Sequence, residues 1–325
     1  MKFVKAILYI IGFFLIGELL VRLDQGVNPF SKDSQVMIAM QIEESSEWKM
    51  VKANNVPIDD STYRIMILGD SYIHGAAISD KSKFATILRE NLLKKYSGKY
   101  KRVFVLDLSR PANNTLDNYN SYKQFTPVYQ PQLIVLAYNL NDVANNLDEQ
   151  DTTGLKTGEL PVKQAAKPGF VKKLYNILYT SHVVQFCMHN LNDYLKSMGI
   201  IFPNSVFDQE LKSYTQNKPN WIRSKEILDN LVKETSAKDQ KIMVIRMPEF
   251  DLLDYKNIFE KTNSITKDYF TSHKNIDFID PELYYSNYKS KELRLNKYDG
   301  HPNEKAHAIL ANGVISFIDS NYLKN

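Results

Sequence analysis

Short apolar runs that alternate with helical stretches constrain the fold of this chain more than any other feature. The first run is apolar throughout, as expected of a strand in a parallel sheet with both faces covered by helices. Strands that alternate with helices predict an α/β fold with right-handed crossovers. The expected strands span residues 64–69, 102–108, 132–138, 241–247 and 275–279.

The first of these strands runs directly into the tripeptide Gly69-Asp70-Ser71. In an α/β fold this order places Ser71 at the carboxyl end of a buried strand, where the chain turns into a helix. Open α/β sheets bind ligands at that edge, and the amides at a helix start can face an anion. Three common loop residues after a strand also arise by chance. Ser71 therefore needs a base and an oxyanion donor at the ends of later strands.

Candidates for both partners lie further along the chain. His301 is suited to accept the proton of a serine hydroxyl near neutral pH, and Asp299 could fix its tautomer. Asn141 follows the third strand, where its amide could donate to a developing oxyanion. Ser71, His301 and Asp299 are thus the predicted catalytic residues. The alternatives are an ordinary loop serine, a surface histidine at a helix start, and turn-forming aspartate and asparagine.

Together these motifs resemble those of the SGNH (GDSL-like) hydrolase superfamily, bacterial membrane-anchored type. The resemblance covers about residues 63–320, with a long unmatched stretch between 146 and 238. It implies the SGNH hydrolase fold, a three-layer α/β/α sandwich with a flavodoxin-like parallel sheet, and it implies a serine nucleophile. The matching segments are Gly69-Asp70-Ser71 with its extension to Gly75, Asn141-Asp142, and Asp299 to Asn303.

The oxyanion hole is where the chain departs from the family pattern. The second block of the family usually carries a glycine whose amide joins the hole, and Ala112 stands at that position here. A backbone amide survives this change if the local dihedrals allow a side chain. The resemblance therefore implies an oxyanion hole of the Ser71 amide, the Ala112 amide and the Asn141 side chain. Asn139 stands where the family usually has a second glycine, and the aspartate is two rather than three residues before His301.

Other polar residues carry weaker signals. His74, one helical turn after Ser71, could line the pocket and bind substrate, with packing or solvent exposure as the alternative. Asp70 is expected to bond nearby amides at the turn. The histidines lack metal-ligand spacing and no phosphate-binding loop occurs, so we expect no metal and no cofactor. The single cysteine, Cys187, lies in an apolar stretch and is expected to be buried.

The charge distribution argues against a nucleic-acid partner. The net charge is +4 over 325 residues, and acidic and basic residues are interspersed rather than gathered in a basic stripe. The partner implied by the motifs is instead an acylated small molecule or glycan.

The amino-terminal segment predicts a membrane anchor. A helix over residues 3–23 would reach about 31 Å, close to the thickness of a bilayer core. Lys2 and Lys5 favour a cytoplasmic amino end, and Glu18 could pair with Arg22. The alternatives are a cleaved signal peptide and a surface or buried helix. Anchor and signal both place the remaining chain outside the cytoplasm, as a periplasmic or extracellular domain.

The expected organisation follows from these segments. A stem or accessory segment, with a possible strand near residues 36–42, leads into the α/β domain. The domain is interrupted by a cap-like insertion, in which residues 204–220 are expected to be a loop. The expected boundaries are 1–23 for the anchor or signal, 24–62 for the stem, 63–325 for the domain and about 146–238 for the insertion.

The resemblance and the motifs favour a serine esterase that acts on small acyl esters, of extracytoplasmic glycans in particular, through an acyl-enzyme. Two alternatives stay open. The first is an O-acyltransferase component of polysaccharide acylation, which would work beside a multi-pass membrane acyltransferase. The second is a catalytically silent binding or assembly protein on the same fold. Esterase and transferase would use the same triad.

Overall fold

The structure is a computed structural model that describes most of the chain. Two compact units are distinguished, Met1–Ala39 with Glu149–Phe202, and Met40–Asp148 with Pro203–Asn325. The described residues are 15–21, 46–143, 206–215, 219–255, 258–296 and 299–323, with single positions between 181 and 198.

A five-stranded parallel sheet forms the centre of the second unit. Its strand order is β2-β1-β3-β4-β5, which is the flavodoxin-like order with a switch point between β1 and β3. Every residue of β1 and β3 is buried, as the apolar runs predicted. The predicted parallel sheet is thus confirmed. Its strands are β1 (Thr62–Gly69), β2 (Arg102–Asp107), β3 (Leu133–Tyr138), β4 (Lys241–Arg246) and β5 (Ile276–Ile279).

Helices cover both faces of this sheet. Side chains of β1 alternate between two cores, Ile65 and Ile67 entering one and Met66 and Leu68 the other. On the first face lie α3 (Phe84–Lys95) and α10 (Glu304–Asn321). On the second face lie α1 (Ser46–Lys52), α4 (Thr115–Tyr129), α5 (Val206–Thr215), α6 (Pro219–Ala237) and α7 (Glu260–Ser272). The remaining short helices are α2 (Ser71–His74), α8 (Glu282–Tyr285) and α9 (Ser290–Leu293).

Helix α5 corrects the expectation of a loop over residues 204–220. Its composition is mostly polar, which is why the sequence did not indicate a helix. The helix is held by a buried tyrosine: Tyr214 bonds the Tyr138 hydroxyl at 2.7 Å and donates to the Leu140 carbonyl at 3.0 Å. Helix α6 then crosses from the β3 side to β4, so part of the expected insertion belongs to the helical layer of the sheet.

The expected stem also contributes to this layer. Helix α1 lies within residues 24–62, and its Val51 is buried in the second core. Glu47 pairs with Arg89 of α3 at 3.0 Å, and the Trp48 ring lies 4.9 Å from that of Phe125 in α4. The possible strand near 36–42 lies outside the described residues.

The first unit is described over few residues. Residues 15–21 are helical, and Glu18 accepts hydrogen bonds from the Ser181 hydroxyl at 2.8 Å and the Val183 amide at 3.0 Å. Cys187 is exposed, which corrects the expectation that it is buried; its helix is the reason, since it turns this position to solvent. Among the described residues, no helix has the length and apolar character needed to span a bilayer. Most of the expected anchor and of residues 146–205 lies outside them.

A two-stranded antiparallel hairpin follows the last strand of the sheet in the chain and precedes the last helix. It pairs β6 (Arg294–Asn296) with β7 (Asp299–Pro302). Asn303 follows β7 and caps α10 by accepting from the Ala306 amide at 3.1 Å, and its amide group donates to the Glu292 and Arg294 carbonyls. These bonds fix the hairpin on the start of α10.

Candidate active site

Ser71 is placed by the end of β1. Gly69 has φ of 157°, and a Cβ atom there would lie 2.6 Å from Ile73, so the chain can make this turn only with glycine. Asp70 then caps α2 by accepting from the Tyr72 amide at 2.9 Å. Ser71 is therefore the first residue of a helix that starts at the carboxyl edge of the sheet.

His301 and Asp299 meet Ser71 from the hairpin. The Nε2 atom of His301 lies 2.9 Å from the Ser71 Oγ, and its Nδ1 atom lies 2.6 Å from the Asp299 Oδ1. The same Asp299 oxygen accepts from the His301 amide at 3.0 Å, which closes a compact turn around the carboxylate. The structure thus brings the three predicted residues together, although Ser71 and His301 are 230 positions apart in the chain.

The electrostatics of this pair suit a base. The hydrogen bond to Asp299 raises the pKa of His301, and the nearby charges of Asp70 and Asp251 act in the same direction against the effect of burial. The hydrogen bond from His301 in turn lowers the pKa of Asp299. A carboxylate that stays ionised stabilises the imidazolium formed when the histidine takes a proton.

Asn141 contacts Asp70, the residue before the nucleophile. It stands in the 3-10 turn Leu140–Val143, directly after β3, and its Nδ2 donates to the Asp70 Oδ2 at 3.2 Å. Asn139 donates to the same oxygen at 3.4 Å. Because an amide nitrogen has two hydrogens, the bond to Asp70 orients Asn141 and leaves its second N–H for another acceptor. Asp70 makes the structural contacts expected of it.

Ala112 adopts the conformation that favours glycine. Its φ is 65°, in the left-handed region that a side chain occupies at a cost. The loop around it is fastened to the end of β1, because the Arg110 amide and the Asn113 side chain both donate to the Gly69 carbonyl, at 3.2 and 3.3 Å. Ala112 therefore retains the backbone geometry of a glycine position. It lies two residues after Arg110, in a loop that is bonded to the end of the strand that precedes Ser71.

His74 lies beneath the site rather than on its surface. Its side chain is buried, and its Nδ1 atom lies 3.4 Å from the Ser109 hydroxyl. Burial lowers the pKa of His74, with Lys83 and Arg110 contributing, while Asp107 opposes them. The substrate-binding role expected for His74 stays a prediction.

The sequence motifs did not indicate two further residues around the base. Tyr72 places its ring 5.1 Å from that of His301, and its hydroxyl donates to the Glu249 carboxylate at 2.8 Å. Glu249 follows β4, so the strand-end rule that located Ser71 and Asn141 could have drawn attention to it. Nothing in the sequence pairs it with Tyr72.

Several buried acids surround this centre. Burial raises the pKa of Asp70, Asp142 and Glu249, and it raises the pKa of Glu210 to about 8. Within the described part of the chain, no group of three or more histidine, cysteine, aspartate or glutamate side chains is arranged to hold a metal ion.

Comparisons with known proteins give similarity at a low level. No family model and no curated protein matches the sequence. An acetyl xylan esterase, AlAXEase, is 13% identical, with 78% of this chain and 99% of that chain covered and a TM-score of 0.44. The lipase/acylhydrolase from Enterococcus faecalis is 12% identical, with 79% of this chain and 96% of that chain covered and a TM-score of 0.44. The lipase Lip_vut3 from a goat rumen metagenome is 8% identical, with 78% of this chain and 96% of that chain covered and a TM-score of 0.47. TM-scores below 0.5 assign neither a fold nor an activity by themselves.

Proposed function

We propose that this chain is a serine esterase of the SGNH (GDSL-like) type, with Ser71 as nucleophile, His301 as base and Asp299 as the orienting carboxylate. The observation that carries the proposal is the continuous chain of contacts from the Ser71 Oγ to the His301 Nε2 and from the His301 Nδ1 to Asp299. A binding protein would have no need of this arrangement at the carboxyl edge of the sheet.

The reaction proceeds through an acyl-enzyme. The Ser71 Oγ attacks the ester carbonyl carbon while its proton passes to the His301 Nε2. Asp299 holds the Nδ1 hydrogen and stabilises the imidazolium. The Ser71 amide, the Ala112 amide and the free N–H of Asn141 stabilise the oxyanion. His301 then returns its proton to the leaving alcohol oxygen, and a water activated by the same histidine releases the acid.

The substrate that we propose is a small acyl ester, of an extracytoplasmic glycan in particular. This rests on the resemblance of the motifs and on the amino-terminal segment, whose length and basic end support export and membrane attachment of the chain. Cell fractionation tests that location. Recovery of the full-length protein in the soluble fraction of cells broken without detergent would contradict it.

Turnover of a short-chain aryl ester tests the activity. We expect hydrolysis by the full-length protein and loss of it in Ser71→Ala. Ser121→Ala, the same substitution on α4, is the matched control and should retain wild-type turnover. Equal rates for Ser71→Ala and wild type would refute the proposal. Acyl transfer to added sugar hydroxyls, measured beside release of free acid, distinguishes a transferase from a hydrolase.

A further inference from the structure

The ring of His301 needs support beyond Asp299. Its side chain is 40% exposed, and it stands on a short hairpin rather than on the buried sheet. The bond to Asp299 fixes one edge of the imidazole but leaves rotation about that contact. The faces of the ring must therefore be held by other side chains if its Nε2 is to stay on the Ser71 Oγ.

Tyr72 supplies one such contact. Its ring lies 5.1 Å from that of His301, tilted by 48°, and 6.1 Å from that of Phe250. Because Tyr72 directly follows the nucleophile in α2, the same backbone turn positions both the serine and the side chain that packs on its base.

The far end of Tyr72 is also fixed. Its hydroxyl donates to the Glu249 Oε2 at 2.8 Å, and Glu249 is only 8% exposed. Glu249 opens the 3-10 turn Phe250–Leu252, which follows β4. The tyrosine ring is thus held between the end of β1 and a loop from β4.

The same turn reaches the hairpin directly. A Cβ atom on Gly300 would lie 3.1 Å from the Cβ of Asp251 and 3.2 Å from its carboxyl carbon, so the turn packs closely against the residue before His301. The negative charge of Asp251 also raises the pKa of His301. One segment therefore contacts the hairpin and, through Tyr72, the ring of His301.

We propose that Tyr72 and Glu249 form a positioning pair that holds the imidazole of His301 against Ser71. This rests on the proposed esterase function. The hydroxyl-to-carboxyl bond fixes the tyrosine ring, and the ring restricts the imidazole to the orientation in which Nε2 faces the nucleophile. A small displacement of a catalytic group can reduce the rate by up to about a hundredfold.

Three variants separate positioning from stability. Tyr72→Phe keeps the ring but leaves a buried carboxyl without its donor, which should destabilise the fold and lower its unfolding midpoint. Glu249→Gln keeps an acceptor for the hydroxyl. The double variant Tyr72→Phe with Glu249→Leu removes both partners, which restores stability but not the anchor of the ring.

We expect kcat to depend on the bond between Tyr72 and residue 249 and not on the stability of each variant. On an aryl ester, Tyr72→Phe and the double variant should each lose about tenfold in kcat with little change in KM, and Glu249→Gln should stay within about twofold of wild type. The matched control is Tyr119→Phe, which removes a 2.6 Å bond to Glu234 between α4 and α6, and it should keep wild-type kcat. Recovery of kcat together with stability in the double variant would overturn the proposal, as would wild-type kcat in Tyr72→Phe.

A readout without turnover separates this proposal from the esterase function. The ring resonances of His301 report its orientation by NMR whether or not the protein hydrolyses esters. We expect them to shift or broaden in Tyr72→Phe and in the double variant, and to match wild type in Glu249→Gln and Tyr119→Phe. Unchanged His301 resonances in Tyr72→Phe would reject the positioning pair. Turnover that persists in Ser71→Ala would instead reject the esterase.

Discussion

The nucleophile and its base are held in different ways. Ser71 follows a strand whose residues are all buried, and its turn is fixed by Gly69 and by the cap of Asp70. His301 stands on a short, partly exposed hairpin and depends on contacts from Asp299 and Tyr72. The buried sheet determines where the serine lies, whereas Asp299 on the same hairpin and Tyr72 on α2 determine how the histidine is oriented. Substitutions of the residues that contact His301 should therefore act through the orientation of its ring.

The largest expected effect comes from removing either reacting group. Ser71→Ala or His301→Ala should reduce kcat by about 10⁶-fold if the two act as a unit, and the double variant should be no worse than either single one. Steady-state kinetics on an aryl ester provides the measurement. Additive losses in the double variant would show that the two residues do not share one step.

Asp299→Asn should reduce kcat by about 10⁴-fold, because an amide at this position favours the wrong tautomer of the imidazole. The pH dependence gives a second readout. His301 must be neutral to accept a proton, and its pKa is raised, so kcat/KM should increase with pH through an apparent pKa above the usual value of about 6.5. In Asp299→Asn that inflection should move to lower pH. An inflection that stays in place would mean that another group raises the pKa of His301.

The sheet and the residues at its carboxyl edge could be predicted from the sequence. Buried strands such as β1 and β3 are recognised in the sequence as apolar runs. The polar residues that follow them share one edge of the sheet because the strands are parallel. Ser71 and Asn141 were located in this way. The bond between Tyr72 and Glu249 was not, because it joins residues 177 positions apart and depends on how the loop after β4 packs. Helix α5 was not predicted because most of its residues are polar, and the sequence does not show that Tyr214 is buried.

Asn141→Ala should reduce kcat by about 10²- to 10³-fold while the protein stays folded, as expected for loss of one oxyanion donor. Circular dichroism and the unfolding midpoint provide the control, because Asn141 also donates to Asp70. Full activity in a folded variant would show that Asn141 is not an oxyanion donor. The donor should then be sought in the loop from Ser109 to Asn114.

The smallest expected effect concerns Ala112. Ala112→Gly keeps the backbone amide and relieves the left-handed conformation, so activity should be unchanged and the free energy of unfolding should rise by about 1 kcal/mol or less. Ala112→Pro lacks the amide hydrogen and cannot adopt a positive φ, and it should be damaging in both respects. A loss of activity in Ala112→Gly would show that the methyl group itself contributes to the site.

A covalent adduct on Ser71 would identify the nucleophile without reference to a substrate. The full-length protein is treated with a fluorophosphonate, digested, and analysed by mass spectrometry. We expect one adduct, on the Ser71 hydroxyl, that disappears in Ser71→Ala and forms far more slowly in His301→Ala. A folded protein that stays unlabelled, or that is labelled at another serine with Ser71 untouched, would contradict the triad of Ser71, His301 and Asp299.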